Sequence, residues 1–467
     1  MHRALGAAAV VSGLAYLVVT AWAMVHVTYD LWGALIVAPV IVAVTVPLLR
    51  GMFGDDRSLL AITSIGLLAK FAGGAFRYWV AFDAYGGAAD AGRYHLFGKA
   101  LAGAVRSGQA SVLELVPSDV GTPFVERLTA LVYTLVGSSR LAGFLLFGWL
   151  GYWGAILFLR AATVAVPGLA LHRYALLLCF APTMVYWPSS IGKEAWMCAT
   201  LGLASYGFAY LLTGRFGLRY VAWAALGTTG AGFVRPHFAA IWVGAVVVAL
   251  VVAAVAGGVS RRPRSRVVNL LVAALAVVGL VVVAGAALRY LDPGDGGDST
   301  TSVTTKISDI FDETTRRSEQ GGSGFQTISL SSPQMWPWAV FRTLTRPLLV
   351  EARSFAELLP AAEMTALLVV AVASWRRFAQ LPRMLRSSPY LVFSSVVLLL
   401  FGVAFTSIGN LGILTRQRSL VMPLFLLPLC LPPRPMTTQG VEAASGRRPD
   451  LVTSSAGPHT SGQEWRS

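Results

Sequence analysis

The sequence predicts an all-α protein, a polytopic transmembrane helix bundle of about 12 spans, and three observations carry this prediction. Of the 467 residues, 55% are hydrophobic and only 13% are charged, whereas soluble domains carry about twice that charged fraction. The mean hydropathy is +0.65. Apolar runs close to the roughly 20 residues that cross a bilayer recur along the chain. These observations exclude a water-soluble enzyme.

The apolar runs define one polytopic membrane domain over residues 1–432. In chain order the predicted spans are 4–25, 31–50, 58–80, 140–160, 174–188, 191–213, 219–234, 237–258, 267–289, 358–376, 389–408 and 417–432. The first run exceeds the roughly 7–15 apolar residues of a signal peptide, so we expect an uncleaved span. Two outer loops, 81–139 and 290–357, separate the spans. The tail 433–467 is rich in Pro, Ser, Thr and Gly, and we expect it to be disordered.

Residues 124–137 are ambiguous, because they suit either a thirteenth span or an amphipathic helix at the membrane surface. Glu126 and Arg127 leave about ten apolar residues, which is short for a crossing. Without that crossing, both termini and the arginine-rich segments 261–266 and 376–386 lie in the cytoplasm, as the positive-inside rule requires. We therefore expect a multi-pass cell-membrane protein with cytoplasmic termini and short amphipathic helices in its extracytoplasmic loops.

The chain has 37 Lys and Arg against 22 Asp and Glu, a formal net charge of +15. This excess of positive charge has two interpretations. In a soluble protein it would favour a nucleic-acid partner. In this topology nearly all of the excess falls on cytoplasmic segments, so it indicates orientation in the bilayer. We expect no nucleic-acid partner. The three cysteines lie in apolar stretches without metal-ligand spacing, which predicts buried thiols.

The first candidate site follows the third span, where Asp83 and Asp90 precede Tyr94 and His95. A carboxylate at the membrane surface can deprotonate a hydroxyl nucleophile or hold a divalent cation such as Mg²⁺ or Mn²⁺. The alternative is a solvated loop in which Asp90 begins a helix that contains Tyr94. Both interpretations stay open from the sequence alone.

A second group of candidates lies at two later outer turns. Lys193 and Glu194 follow a Pro-Ser-Ser turn, and a new helix whose first turn holds a lysine is typical of a phosphate site. An ion pair between these two residues that caps a membrane helix is the alternative. Arg235 suits bidentate recognition of phosphate, and His237 could shuttle a proton, although a lone histidine is more often structural.

The third group is late in the chain. Arg346 and Glu351 follow an aromatic segment, after the Gly- and Ser-rich stretch 293–335 that is either a lid above a cavity or a linker. Arg416 and Arg418 stand at the outer mouth of the last span, against the charge rule, which favours an anionic partner. A nearby glutamate could instead satisfy them structurally.

Taken together, these residues resemble polytopic envelope-glycan enzymes. The D-x3-Y-H motif that begins at Asp90, the Lys193-Glu194 turn and the R-x-R at Arg416 resemble the GT-C class of integral-membrane glycosyltransferases. The late outer loop resembles O-antigen polymerases and ligases, and the R-P-x3-E-A and R-Q-R segments are similar to uncharacterised actinobacterial-type membrane proteins. The resemblance implies a polyprenyl-phosphate-linked sugar donor, with Asp83 and Asp90 as the base or metal carboxylates.

The residues and the resemblance together predict three groups of site residues. The catalytic candidates are Asp83, Asp90 and His95. The candidates for binding the substrate phosphate are Lys193, Arg235, His237, Arg346, Arg416 and Arg418. The supporting residues are Tyr94, Glu194 and Glu351.

The predicted function is a membrane glycosyltransferase or polysaccharide polymerase of cell-envelope glycan synthesis, which acts on a glycan acceptor at the outer membrane face. The alternatives are a transporter or flippase of lipid-linked glycans and a non-catalytic subunit of an envelope assembly complex. A transporter needs polar groups near mid-membrane. Only Lys70 lies clearly deep in a span, because Arg77 in the same span can snorkel outward.

Overall fold

The computed structural model describes residues 2–117, 119–255, 281, 285, 333–352 and 355–433. Over these ranges the chain is helical and contains no β-strand, which confirms the predicted all-α class. The predicted span 267–289 is almost entirely outside the described residues, as are most of the late outer loop and the tail from residue 434 on.

The helices give the molecule its framework. In chain order the described α-helices are α1 (His2–His26), α2 (Tyr29–Phe53), α3 (Arg57–Trp79), α4 (Asp90–Arg106), α5 (Thr122–Val136), α6 (Arg140–Ala165), α7 (Leu171–Phe180), α8 (Pro182–Tyr186), α9 (Lys193–Leu212), α10 (Leu218–Gly232), α11 (Pro236–Val255), α12 (Trp336–Thr345), α13 (Phe355–Ala373), α14 (Trp375–Phe378), α15 (Leu381–Ser387), α16 (Pro389–Ala404), α17 (Leu411–Arg418) and α18 (Met422–Phe425). A π-helical turn, Val80–Ala84, extends α3.

Five of the described helices are long and apolar enough to cross a membrane: α2, α3 with its π-helical turn, α6, α9 and α11. Helix α13 and the α14–α15 segment are bent by 72° relative to one another and make a sixth crossing if they form one broken span. The chain is thus an all-helical protein with several candidate transmembrane helices. The count of 12 spans is not confirmed in the part of the chain that the structure describes.

Two predicted spans differ from the helices that form. The segment 174–188 falls on the short helices α7 and α8, which Pro182 separates. The segment 417–432 contains only the end of α17, the four-residue α18 and a 3₁₀ turn, because Pro423 and Pro428 interrupt helical hydrogen bonding. Its apolar side chains are almost all buried, so this segment belongs to the protein core.

The ends of the long helices lie at two levels of the molecule. The Asp30 carboxylate pairs with the Arg140 guanidinium at 2.7 Å, which joins the start of α2 to the start of α6. The Asp56 carboxylate lies 2.9 Å from the ring of His172 at the opposite level. We call the level where α2, α6, α9 and α11 begin, and where α3 and α10 end, the site end.

Helices α6 and α9 pack with their backbones in direct contact. A Cβ atom added at Gly154 would lie 2.3 Å from the carbonyl oxygen of Cys198, and one added at Gly202 would lie 2.5 Å from the carbonyl oxygen of Gly154. Small residues allow this close approach of membrane helices. The contact fixes α9, whose first turn carries Lys193 and Glu194.

The ambiguous segment 124–137 forms the 15-residue helix α5, which packs along α4. A helix of that length spans about 22 Å, less than the roughly 30 Å of a bilayer core. Its Glu126 is buried and pairs with Arg93 of α4 at 2.7 Å, while Leu135 on another face is 77% exposed. The helix is therefore amphipathic and shorter than a straight crossing of the bilayer requires; that it lies at the membrane surface stays a prediction.

Candidate functional site

A cluster of charged side chains lies at the site end, where α9 and α11 begin. Helix α9 begins at Lys193, and the preceding Gly192 provides no side-chain cap for the free amide groups of its first turn. Such amides and the helix dipole favour negative charge. Glu194, in this first turn, is only 1% exposed, so its carboxylate requires cationic partners.

Two arginines from distant parts of the chain supply those partners. Glu194 Oε1 accepts a hydrogen bond from Arg235 Nη2 at 2.7 Å and another from Arg416 Nε at 2.6 Å. Arg235 immediately precedes α11, and Arg416 is in α17. One carboxylate oxygen therefore joins three helices and holds both guanidinium groups at the site end.

Arg416 also reaches a carboxylate that is open to solvent. Its Nη1 donates to Asp90 Oδ2 at 2.8 Å, and the Asp90 side chain is 58% exposed. Asp90 begins α4, where a negative charge is stabilised by the helix dipole. Glu194 and the arginines, together with Asp90 and the adjacent Lys193, form what we call the Glu194 cluster. Its members are Asp90, Lys193, Glu194, Arg235 and Arg416.

A cavity of about 270 Å³ opens beside the Glu194 cluster. Its polar lining consists of Arg77, Asp90, Ser190, Glu194 and Arg416. The remaining lining residues are Ala81, Ala88, Ala89, Ala91 and Ile191. Four of these five residues are alanines, whose small side chains leave room for a ligand beside the charged groups.

Arg77 was assigned only a snorkelling role from the sequence, yet it lines the cavity. Its Nη1 donates to the Tyr186 hydroxyl at 3.0 Å, and its guanidinium lies over the rings of Tyr186 and Trp187 at 4.6 and 4.7 Å. Its Nε has no hydrogen-bond partner among the described residues. The sequence signal was an arginine near the end of an apolar span, which predicts exposure and cavity lining equally well.

Tyr94, predicted as a supporting residue, lies against the Glu194 cluster. It is 1% exposed, four residues after Asp90 on α4, and within electrostatic range of Glu194 and Arg416. Burial raises the pKa of its phenol well above the usual value. Tyr94 therefore remains a neutral hydrogen-bonding group.

Asp83 and His95 lie away from the lining of the cavity. Asp83 is exposed on the π-helical turn and influences Tyr78 electrostatically. His95 is buried, and its Nδ1 lies 2.9 Å from the hydroxyl of Tyr133. Burial lowers the pKa of His95 to about 4, so the imidazole is neutral near pH 7. The structure does not bring these two residues together with Asp90 in the cavity wall.

The R-x-R pair of α17 divides between two surroundings. Arg418 is fully buried and donates through Nη1 to the carbonyl oxygens of Leu344 and Arg346. Arg346 Nε pairs with Glu351 Oε1 at 2.7 Å. We call Arg346, Glu351 and Arg418 the Arg418 cluster; Arg416 and Arg418 thus belong to different clusters.

His237, in the first turn of α11, lies within electrostatic range of Lys193 and Arg235 and packs its ring near Phe238 and Phe405. This position is next to the Glu194 cluster. The residue does not line the cavity beside Asp90.

A divalent cation fits the cavity poorly. Both of its carboxylates, Asp90 and Glu194, are paired with arginine, and the described residues contain no group of three His, Cys, Asp or Glu side chains suited to a metal. This donor set suits an anion better. Metal binding by Asp83 and Asp90 stays a prediction.

Comparison of the chain with protein-family models, with curated proteins and with solved structures found no match. The resemblance to membrane glycosyltransferases and O-antigen polymerases therefore stays a prediction from motifs.

Proposed function

We propose that the protein is a membrane glycosyltransferase that takes its sugar from a polyprenyl-phosphate-linked donor at the site end, on the outer face of the membrane. The observation that carries this proposal is the cavity wall in which Asp90 and Arg416 lie side by side, with Arg77 also in the lining. Glycosyl transfer from a lipid phosphate needs a base for the acceptor and cations for the leaving group.

The two roles fall on different residues. Asp90 accepts the proton of the acceptor hydroxyl as that oxygen bonds to the anomeric carbon of the sugar. The bond from the anomeric carbon to the phosphate oxygen breaks, and its electron pair stays on the phosphate. Arg416 and Arg77 stabilise the negative charge that develops on that oxygen.

Glu194 keeps Arg416 in position for this role. Because Arg416 Nε is bound to a buried carboxylate, the guanidinium has one edge fixed and presents its Nη1 edge to Asp90 at the cavity. Fixed donors stabilise a developing charge without reorganising during the reaction. We assign Glu194 as a positioning residue.

Exposed aromatic rings beside Arg77 favour a lipid-linked donor over a soluble one. Phe76 and Trp79 are 48% and 54% exposed, and their ring centroids are 5.9 Å apart. Aromatic residues at this level of a membrane helix are typical of the bilayer interface. A prenyl chain can lie against this surface while its phosphate enters the cavity beside Arg77.

The proposal is tested in a strain that lacks the gene and carries variants of the full chain. We expect Asp90→Asn to abolish the glycan product and to leave membrane insertion normal. Asp119→Asn is the matched control, because Asp119 also pairs with one arginine and is 56% exposed, yet does not line the cavity. Full activity of Asp90→Asn contradicts the proposal.

The side on which the donor accumulates separates a transferase from a flippase. In the deletion strain we expect lipid-linked sugar on the outer leaflet, where an impermeant lectin can reach it; accumulation on the inner leaflet would instead indicate a flippase. Lys70, the deep polar group of α3, is only 5% exposed and donates to the carbonyl of Met184. It therefore offers no open site at mid-membrane.

A further inference from the structure

The Glu194 cluster and its cavity contain more positive than negative charge. Among the described residues the cations are Arg77, Lys193, Arg235 and Arg416, and the carboxylates are Asp90 and Glu194. Lys193 is placed here because it lies within electrostatic range of all four members of the cluster besides itself. The excess is two positive charges, carried by a buried Arg235 and by the half-buried Arg77, Lys193 and Arg416.

Neighbouring carboxylates do not cancel this excess. Glu126 is paired with Arg93, and Asp30 is paired with Arg140. Asp83 is exposed to solvent and does not line the cavity. Buried charge without a counter-ion is costly, so an excess of two cations indicates a ligand with two negative charges.

The donors are also arranged in two groups. Arg77 and Arg416 line the cavity. The Nε atom of Arg77 has no hydrogen-bond partner within the described part of the chain. Lys193 and Arg235 do not line the cavity, although Arg235 bonds to the same oxygen of Glu194 as Arg416 does. Arg235 is only 6% exposed, and its Nη1 has no hydrogen-bond partner among the described residues. The first turn of α9, which has no side-chain cap, contains Lys193 and the cavity-lining Glu194 and so connects the two groups along the chain.

We infer that the donor is linked to its lipid through a diphosphate and not through a single phosphate. A sugar joined to a prenyl chain by one phosphate is a diester with one negative charge, whereas a diphosphate link carries two. The sugar-side phosphate lies beside Arg77 and Arg416, and the second phosphate lies toward Lys193 and the first turn of α9. This inference rests on the proposed function and names its substrate class.

The test is a comparison of two probes with the purified full chain in detergent micelles. Geranyl monophosphoglucose carries one charge and geranyl diphosphoglucose carries two, and the quenching of tryptophan fluorescence reports binding. We expect the diphosphate probe to bind at least about tenfold more tightly, and more so at low salt.

Equal affinities, or tighter binding of the monophosphate probe, overturn the inference and leave the proposed transferase intact. Binding of neither probe overturns both. The two failures are therefore distinguishable in one experiment.

A single variant locates the second phosphate. We expect Lys193→Gln to reduce binding of the diphosphate probe roughly tenfold and to leave the monophosphate probe almost unaffected. Lys99→Gln is the matched control, since Lys99 is an exposed lysine of α4 outside the cavity. Equal loss for both probes, or no loss for either, contradicts the placement of the second phosphate.

Discussion

The Glu194 cluster and the Arg418 cluster each hold an arginine of the same short helix, and they use it differently. Arg416 bonds to two carboxylates and lines a cavity. Arg418 is fully buried and donates to backbone carbonyl oxygens. The first arrangement leaves a guanidinium group in the cavity wall, and the second ties α17 to the end of α12 and to the residue that follows it.

Helix geometry explains why neighbours in sequence separate in this way. Two residues apart on an α-helix means about 200° of rotation, so Arg416 and Arg418 point to opposite faces of α17. An R-x-R pattern on a helix therefore does not form one anion site. Only Arg416 of the two arginines lines the cavity of the candidate site.

The largest expected effect concerns stability at the Glu194 cluster. Glu194→Ala leaves Arg235 and Arg416 without their buried carboxylate and should cost about 3–5 kcal/mol of unfolding free energy. Glu126→Ala is the control, because its partner Arg93 is 68% exposed and can be solvated once the carboxylate is gone. Unfolding in mixed micelles measures the change in free energy for both variants. Equal losses would show that leaving Arg235 and Arg416 without Glu194 carries no extra cost in stability.

Substitution of the two arginines tests the comparison directly. Arg416→Gln should reduce the rate of transfer by about 10²–10³, as loss of one oxyanion donor does, and should keep most of the stability because Arg235 still balances Glu194. Arg418→Gln should cost about 1.5–3 kcal/mol of unfolding free energy and leave the specific activity of the folded fraction unchanged. The opposite pattern would exchange the roles of the two clusters.

A smaller effect is expected from pH at His95. Burial lowers the pKa of His95 to about 4, while an exposed histidine titrates near 6.5. The Asp30 carboxylate raises this pKa, and the positive charges of Arg140 and Lys99 lower it. The stability from the neutral ring is complete above pH 6.5 and is lost as the pH falls toward 4. Between pH 7.5 and 5, the thermal midpoint should fall by a few degrees less in His95→Phe than in the natural chain; parallel curves would contradict this.

The smallest effect concerns the contribution of the exposed ion pair between Asp90 and Arg416 to stability. Asp90→Asn should change the unfolding free energy by less than about 1 kcal/mol, since ion pairs open to solvent contribute little. Asp119→Asn should behave in the same way, given its similar exposure. If Asp90→Asn unfolds the protein, its loss of activity is a consequence of folding and the catalytic assignment loses its support.

The sequence predicts the helices and the end at which the polar residues gather, because apolar length and turn residues are local signals. It predicts Asp90, Lys193, Glu194 and Arg235 on one side of the membrane, and in the structure these four residues belong to one cluster. It could not predict that one oxygen of Glu194 joins Arg235 and Arg416, since that contact crosses 222 positions of the chain. Nor could it decide that His95 packs inward, because adjacent helical residues face directions about 100° apart.

Proline placement explains the remaining difference. The segment 417–432 has the composition of a membrane span. Composition alone cannot distinguish a helix that faces lipid from an irregular segment buried in the protein core. Pro423 and Pro428 decide this locally by removing amide donors. Helix α17, which contains Arg416 and Arg418, is thus followed by an irregular buried segment and not by a long transmembrane helix.

The backbone contact of α6 and α9 makes the site sensitive to positions that carry no charge. Gly202 lies two turns from Glu194, about 12 Å along α9, and any side chain there must push against Gly154. A displaced α9 would carry Glu194 out of reach of Arg235 and Arg416. Random mutagenesis for loss of function should therefore recover substitutions at Gly154 and Gly202. Such variants would lose activity although every charged residue of the Glu194 cluster is still present.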